Sequence, residues 1–201
     1  QVNLTRQLSA PLPQEASMLA LGEQLAAANP APFSAVIELP ALDLRIASAS
    51  PELFLARDGA RVRSAPIKGT TSAGGDFSEK DCAENIMIVD LVRNDFGRVC
   101  HHGSVHVPGL LERQHHPGLD HLVSTVEGEL RPNVGWPELI EATFAPGSVT
   151  GAPKIAAVRK IHELEPVDRN IYCKVPPGAP TSGVRLNTHR PLMDWIDVPN
   201  T

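Results

Sequence analysis

Pro66-Ile67-Lys68-Gly69-Thr70, followed after a short link by Ser78-Glu79-Lys80-Asp81-Cys82-Ala83-Glu84-Asn85, decides how this chain is read. The first run sets an amine between Ile67 and Gly69. Its stem has apolar surface to lie along, and the glycine lets another group approach the backbone. A lysine partly withdrawn from water gives up its proton more readily and serves as base or nucleophile; the plainer alternative is a lysine snorkelling from a strand. The second run opens a helix. Ser78 suits an N-cap, and Glu79 and Asp81 fall in the first turn, where the macrodipole favours negative charge. Cys82, Ile86, Val89 and Val92 form an apolar stripe, widened by Met87, Ile88 and Leu91, which predicts a helix over about 79–93. Asp81 and Glu84 lie three apart and project from one face. Such hard oxygen donors suit Mg²⁺, which takes few protein carboxylates and keeps several waters; a solvated helix start is the competing reading.

Outward from this centre, the pattern alternates between strand and helix signals. Residues 1–8 read as an edge-like strand and 14–28, rich in Ala, Leu, Glu and Gln, as a helix closed by Asn29-Pro30. Residues 33–39 and 42–48 predict a hairpin, and Asp58-Gly59 predicts the turn of a second one between 54–55 and 61–64. Residues 70–77 read as a loop, 103–108 and 121–130 as strands, 136–144 and 151–164 as helices. After Cys173 the chain is proline-rich, with no helical period and no clear strand, and reads as a loop or linker. The organisation expected is therefore a main domain over 1–173 and a divergent tail over 174–201.

Composition narrows the class. The chain has 201 residues, 42% of them hydrophobic and 20% charged, as in an ordinary globular protein, and its net charge of −5 argues against a nucleic-acid surface. No apolar run is long enough to span a bilayer, so no membrane partner is expected. Cys82, Cys100 and Cys173 are odd in number and lack a C-x-x-C spacing, which favours a reducing, cytoplasmic setting over a disulfide framework.

Two further groups draw attention. Gly147-Ser148-Val149-Thr150-Gly151-Ala152-Pro153-Lys154 is a small-residue loop entering a helix, where backbone N–H groups favour an anion and Lys154 adds charge; it fits neither the P-loop nor the nucleophile-elbow spacing. His101, His102, His106, His115 and His116 match no zinc spacing and read as mostly surface residues. His121, at the start of a strand beside Leu122-Val123-Ser124, is placed either to orient a substrate or as a satisfied structural histidine.

Taken together, Gln1-Val2-Asn3-Leu4-Thr5-Arg6, Ser50-Pro51-Glu52-Leu53-Phe54, Pro66 to Thr70, Asp81 to Asp95, His121 to Ser124 and Gly147 to Lys154 resemble the chorismate-utilising enzymes, in the family's order, from Gln1 to about Cys173. The resemblance implies an α+β fold of antiparallel β-sheets in a sandwich flanked by helices, here incomplete. It implies Mg²⁺ held by Glu84 with Asp81 behind it, Glu52 as general acid or base near the C4 hydroxyl of chorismate, and His121, Thr150, Gly151 and Ala152 around the substrate. Lys68 separates the branches. Aminodeoxychorismate synthases resemble this chain in having lysine there, proposed to add to C2 of chorismate while ammonia enters at C4. Anthranilate synthases typically carry alanine, and the isochorismate and salicylate enzymes typically carry their lysine where this chain has Gln1.

The function this implies is amination of chorismate at C4, with ammonia supplied by a glutamine amidotransferase subunit, as in folate and 4-aminobenzoate synthesis. Anthranilate synthase component I and a non-catalytic remnant are the other two readings. The remnant reading rests on three departures. The chain begins inside a family motif, the link from Thr70 to Ser78 is short for the family, and the match ends after Cys173, as a frameshift or truncation would produce.

Overall fold

In the computed structural model, residues 1–10, 17–42, 44–165, 169, 184–189 and 193–197 are described, with backbone only at 6–10, 184–189 and 193–197. They form two compact units. One comprises Gln1–Asn3 and Leu53–Leu164, the other Leu4–Glu52 and Glu165–Thr201. Every strand pairing among the described residues is antiparallel, and helices accompany both sheets, so the expected α+β class with antiparallel sheets is borne out.

The larger unit is built on β4 (Leu53–Asp58), β5 (Arg61–Ala65), β6 (Ile67–Ser72), β7 (His106–His116) and β8 (Leu119–Glu129). β8 is its spine. β7 pairs along one side of it, while β5 and β6 lie end to end on the other, against residues 126–129 and 119–123. Pro66 sits at the junction, where its missing N–H costs no ladder bond and its carbonyl accepts from Ser124 N–H at 3.2 Å. The hairpin at Asp58-Gly59 forms as expected, Gly59 taking φ +57°.

Three expectations for this unit are corrected. Strand β6 continues to Ser72, so the loop begins only at Ala73; pairing with β8 overrides the small polar character of Thr70 and Thr71. The strand predicted at 103–108 instead runs over His106–His116 and turns at Gly118 into β8, which starts two residues earlier than expected. The helix predicted over 151–164 begins only at Lys154, as α5 (Lys154–Leu164), and a separate short helix, α4 (Gly147–Thr150), precedes it across Gly151 at φ +130°.

Helix α2 (Glu79–Gly97) covers the sheet. Ser78 caps it and Asp81 closes a capping box, as the sequence foretells for the cap itself. The expected stripe is borne out at Ile88 and Val89, which are buried with Asn85, Asp95 and Phe96, but not at Ile86, which is exposed; Cys82, Met87, Leu91 and Val92 are half-buried. Val62, Val89, Phe96, Val99, Val126, Leu130 and Leu139 form the core between α2, the sheet and α3 (Trp136–Thr143). Burying a side chain of this kind contributes about 1.5–3 kcal/mol.

The smaller unit carries β1 (Arg6–Ala10), β2 (Phe33–Leu39), β3 (Leu44–Ser50), β9 (Val184–His189) and β10 (Met193–Asp197), in the order β1-β9-β10-β3-β2. The tail reading is corrected here: the stretch without a strand signal supplies β9 and β10, paired with β1 and β3. Helix α1 (Met18–Ala28), capped by Ser17, packs on β3 and β2; the part of its expected span at 14–16 lies outside the described residues. Gly22 allows the close approach of α1, since a Cβ there would strike the Val36 side chain. The first strand starts at Arg6 rather than Gln1, because Gln1–Asn3 belong to the other unit.

Candidate active site

Lys68 lies on β6, and its Nζ donates to the carbonyl oxygen of Ser148 at 2.7 Å. The same oxygen accepts from Asn3 Nδ2 at 2.9 Å. A small-residue segment is needed there. Gly147 packs where a Cβ would strike Leu91, and at Gly151 a Cβ would strike the carbonyl oxygen of Gln1. The sequence-distant N-terminal residues thus pair with the loop: Asn3 N–H donates to Thr150 O at 3.0 Å and Ala152 N–H to Gln1 O at 3.1 Å.

Next along β6, Gly69 takes φ +93°, and a Cβ there would lie 2.9 Å from Asp81 Cβ. This absence of a side chain lets α2 approach the Lys68 strand with its acidic first turn. Thr70 Oγ1 is hydrogen-bonded to His121 Nδ1 at 2.9 Å across the β6–β8 pair. His121 is buried, and burial first, then neighbouring His116, lowers its pKa to about 4, so the ring is neutral at neutral pH. His116 is accordingly not a plain surface residue: its ring meets that of His121 edge-on with centroids 4.9 Å apart. Lys68, Thr70, His121, Ser148 and Asp81 are therefore brought to one region by β6, β8, α2 and α4, although they are far apart in the chain.

The loop at Gly147–Ala152 works differently from the anion cradle expected. Val149 and Thr150 N–H donate to Pro146 O, Gly151 N–H to Gly147 O, and Ala152 N–H to Gln1 O. These amides are committed to the protein's own carbonyls. Thr150 is fully buried and its hydroxyl donates to Pro146 O at 2.8 Å. Lys154 does not add charge to the loop; it forms a buried ion pair with Asp95 at 2.6 Å and donates to Thr143 O at 3.0 Å. Desolvation raises the pKa of Asp95, opposed by that partner.

Glu84 and Asp81 share a face of α2. Asp81 Oδ2 accepts from both Ser78 N–H (2.9 Å) and Ser78 Oγ (2.7 Å), so one of its oxygens serves the helix cap. Glu84 is partly exposed and loosely paired with Lys80 at 3.6 Å. Among the described residues no three His, Cys, Asp or Glu side chains converge on one point. The donors present fit Mg²⁺ only in its usual minimal form, with Glu84 as a carboxylate ligand and the remaining positions left to water and substrate oxygens. Glu52 belongs to the other unit, at the end of β3, where it is buried and its N–H donates to Ser50 Oγ at 3.3 Å.

The sequence reading missed Asn85. It is fully buried, donates to Leu122 O at 2.9 Å and accepts from Ser124 Oγ at 2.5 Å, fastening α2 to β8 beside His121. An amide amid Ile86, Met87 and Ile88 was the signal: a polar side chain on a helix that must bury a face.

This α+β unit gathers an amine, a neutral imidazole and an acidic helix turn around one sheet. Residues 1–175 match the family described as chorismate binding enzyme, and the chain belongs to that family. It is 42% identical over 185 residues to aminodeoxychorismate synthase component 1 of Salmonella typhimurium, an alignment covering 86% of this chain and 40% of that protein. It is 40% identical over 187 residues to anthranilate synthase component 1 1 of Haloarcula marismortui, covering 86% and 37%. Among solved structures, anthranilate synthase component I from Streptococcus pneumoniae superposes with a TM-score of 0.73 at 28% identity, over 98% of this chain and 43% of that one. The chain thus spans about two fifths of the length of these relatives. Among the described residues no helix is long and apolar enough to cross a membrane.

Proposed function

We propose that the domain to which this chain belongs aminates chorismate at C4, giving 4-amino-4-deoxychorismate for folate and 4-aminobenzoate synthesis. The observation that carries this reading is Lys68: a part-buried amine on β6 whose Nζ donates to the Ser148 carbonyl oxygen at 2.7 Å. That carbonyl fixes the direction in which the amine is held. In this reading the Lys68 amine adds to C2 of the ring, the two ring double bonds shift from C1=C2 and C5=C6 to C1=C6 and C4=C5, and the C4 hydroxyl departs as water, with Glu52 as the acid that supplies its proton. Ammonia then adds at C4, the electron pair returns and the bond to Lys68 Nζ breaks. The amine at C2 blocks direct amination there, which is why the nitrogen enters at C4.

His121, neutral and oriented by Thr70, serves as a fixed hydrogen-bonding group toward the substrate, with Thr150, Gly151 and Ala152 lining the same pocket. Because the Gly151 and Ala152 amides are committed, their contribution is shape rather than donation. Mg²⁺, when bound through Glu84 with Asp81 behind it, would neutralise and orient a chorismate carboxylate. The ammonia comes from a glutamine amidotransferase subunit or from solution, and the expected location is the cytoplasm. Support for these assignments comes from the 42% identity to a relative named as component 1 and from the lysine itself.

The test is incubation of the protein with chorismate, Mg²⁺ and ammonium. Aminodeoxychorismate, seen as 4-aminobenzoate only after addition of a lyase, supports the reading. Fluorescent anthranilate formed without the lyase defeats it in favour of the anthranilate reading. Absence of any product, together with no titratable binding of chorismate at millimolar concentration, would favour the non-catalytic remnant.

A further inference from the structure

We propose that Asp120 is a positioning residue that fastens the link between the Lys68 strand and the acidic start of α2, and so sets these two elements against each other. The inference rests on the reading that Lys68 and the α2 carboxylates act on one substrate. Residues 73–77 join β6 to the cap of α2. Asp120, the second residue of β8, is wholly buried beneath them. Its Oδ2 accepts from Gly74 N–H at 2.9 Å and from Arg113 Nη1 at 2.6 Å, and its Oδ1 is 2.7 Å from His115 Nδ1.

Arg113 carries the hold further. Its guanidinium lies over the ring of Phe77, 4.7 Å from the centroid, and Phe77 immediately precedes the Ser78 cap. One carboxylate therefore grips the near end of the link directly and its far end through Arg113. Gly74 at φ +76° turns the backbone so that its N–H points inward. The Gly74 N–H first, then Arg113, hold the Asp120 carboxyl down at about 2, so the anchor stays charged across any working pH. A buried carboxylate that collects three donors is more than a core-filling group needs; its partners are the link and the residue that clamps the link.

The experiment compares Asp120→Ala, Asp120→Asn and His115→Ala by amide hydrogen exchange and by steady-state amination at a temperature where each is fully folded by circular dichroism. In Asp120→Ala the Gly74 amide is expected to exchange about tenfold faster or more, with kcat for C4 amination about tenfold lower. Asp120→Asn, whose amide oxygen can still accept from Gly74 and Arg113, should recover most of both losses. His115→Ala removes only an exposed partner and should stay within about twofold of the parent on both. If Asp120→Ala fails to fold, Arg113→Gln decides: exchange at Phe77 and Ser78 should rise about tenfold while Gly74 stays protected. Unchanged Gly74 exchange in Asp120→Ala, or unchanged kcat in the folded variant, overturns the proposal. If the parent protein makes no aminodeoxychorismate, the functional reading fails, and the exchange data still decide whether Asp120 holds the link.

Discussion

Lys68 and Ser148 are 80 residues apart, yet the Lys68 amine and the Ser148 carbonyl oxygen meet at 2.7 Å, with Asn3 sharing the acceptor. The relationship fixes the direction of the Lys68 amine. It also makes the geometry of the Gly147–Thr150 turn part of the amine's environment.

Substituting Lys68 separates holding from reacting. Lys68→Arg retains a donor for Ser148 but no nucleophile, so it should keep the thermal midpoint and chorismate binding while C4 amination falls by about a hundredfold or more. Lys68→Met should lose both the amination and the tie to Ser148. Binding is read by titration calorimetry and turnover by the lyase-coupled assay; full turnover in Lys68→Arg would sink the covalent role.

Gly69→Ala tests the approach of α2. A methyl group would meet Asp81 at 2.9 Å on a backbone at φ +93°. Destabilisation of about 2–4 kcal/mol is expected from strain and overpacking together. Urea denaturation measures it, and a change under about 0.5 kcal/mol, the range of neutral surface substitutions, would contradict the packing.

Breaking the Asp95–Lys154 pair from one side should be costly. Lys154→Met leaves a buried carboxylate beside Thr143 and is expected to cost about 3–5 kcal/mol, whereas Lys154→Met combined with Asp95→Leu should recover a good part of it. Equal loss in the single and double variants would show that Lys154 acts elsewhere.

His121 predicts a pH signature. Its folded pKa of about 4 lies below the ordinary 6.5, so its contribution is fully present above 6.5. As pH falls, the unfolded chain takes up a proton that the folded state refuses, and stability should drop by up to about 1.4 kcal/mol per pH unit until about 4. Urea midpoints across this range should flatten in His121→Gln. An unchanged slope would place the titration on another group.

Removing Asn85 leaves Ser124 Oγ and the Leu122 carbonyl buried without that partner. Asn85→Ala is expected to cost about 2–4 kcal/mol. Asn85→Asp should do worse than its shape suggests, since the Leu122 carbonyl would then face an oxygen. Denaturant titration of the three proteins orders them.

What was legible in the chain was local. The Ser78 cap, the Asp58-Gly59 hairpin, the β2–β3 hairpin and the small-residue run before Lys154 are each specified by a few adjacent side chains and their backbone preferences. The identity of Lys68, with its neighbours Pro66 and Gly69, is a chemical fact that no fold can alter. What was not legible depended on partners distant in sequence. Pairing with β8 extended β6 through two threonines, and pairing with β1 and β3 drew strands from a tail with no period of its own.

The sequence by itself therefore determined the family and, through that resemblance, the α+β class; it also placed the lysine, the caps and the hairpin turns, because propensity, capping and residue identity act over a few positions. Only the tertiary structure decided the surroundings of that amine: that it donates to the Ser148 carbonyl, which Asn3 shares, that Lys154 answers Asp95 rather than an anion, and that the Gly151 and Ala152 amides are already engaged. Hydrogen bonds and burial belong to whichever groups the fold brings within 3 Å or so, and a linear chain does not name them in advance.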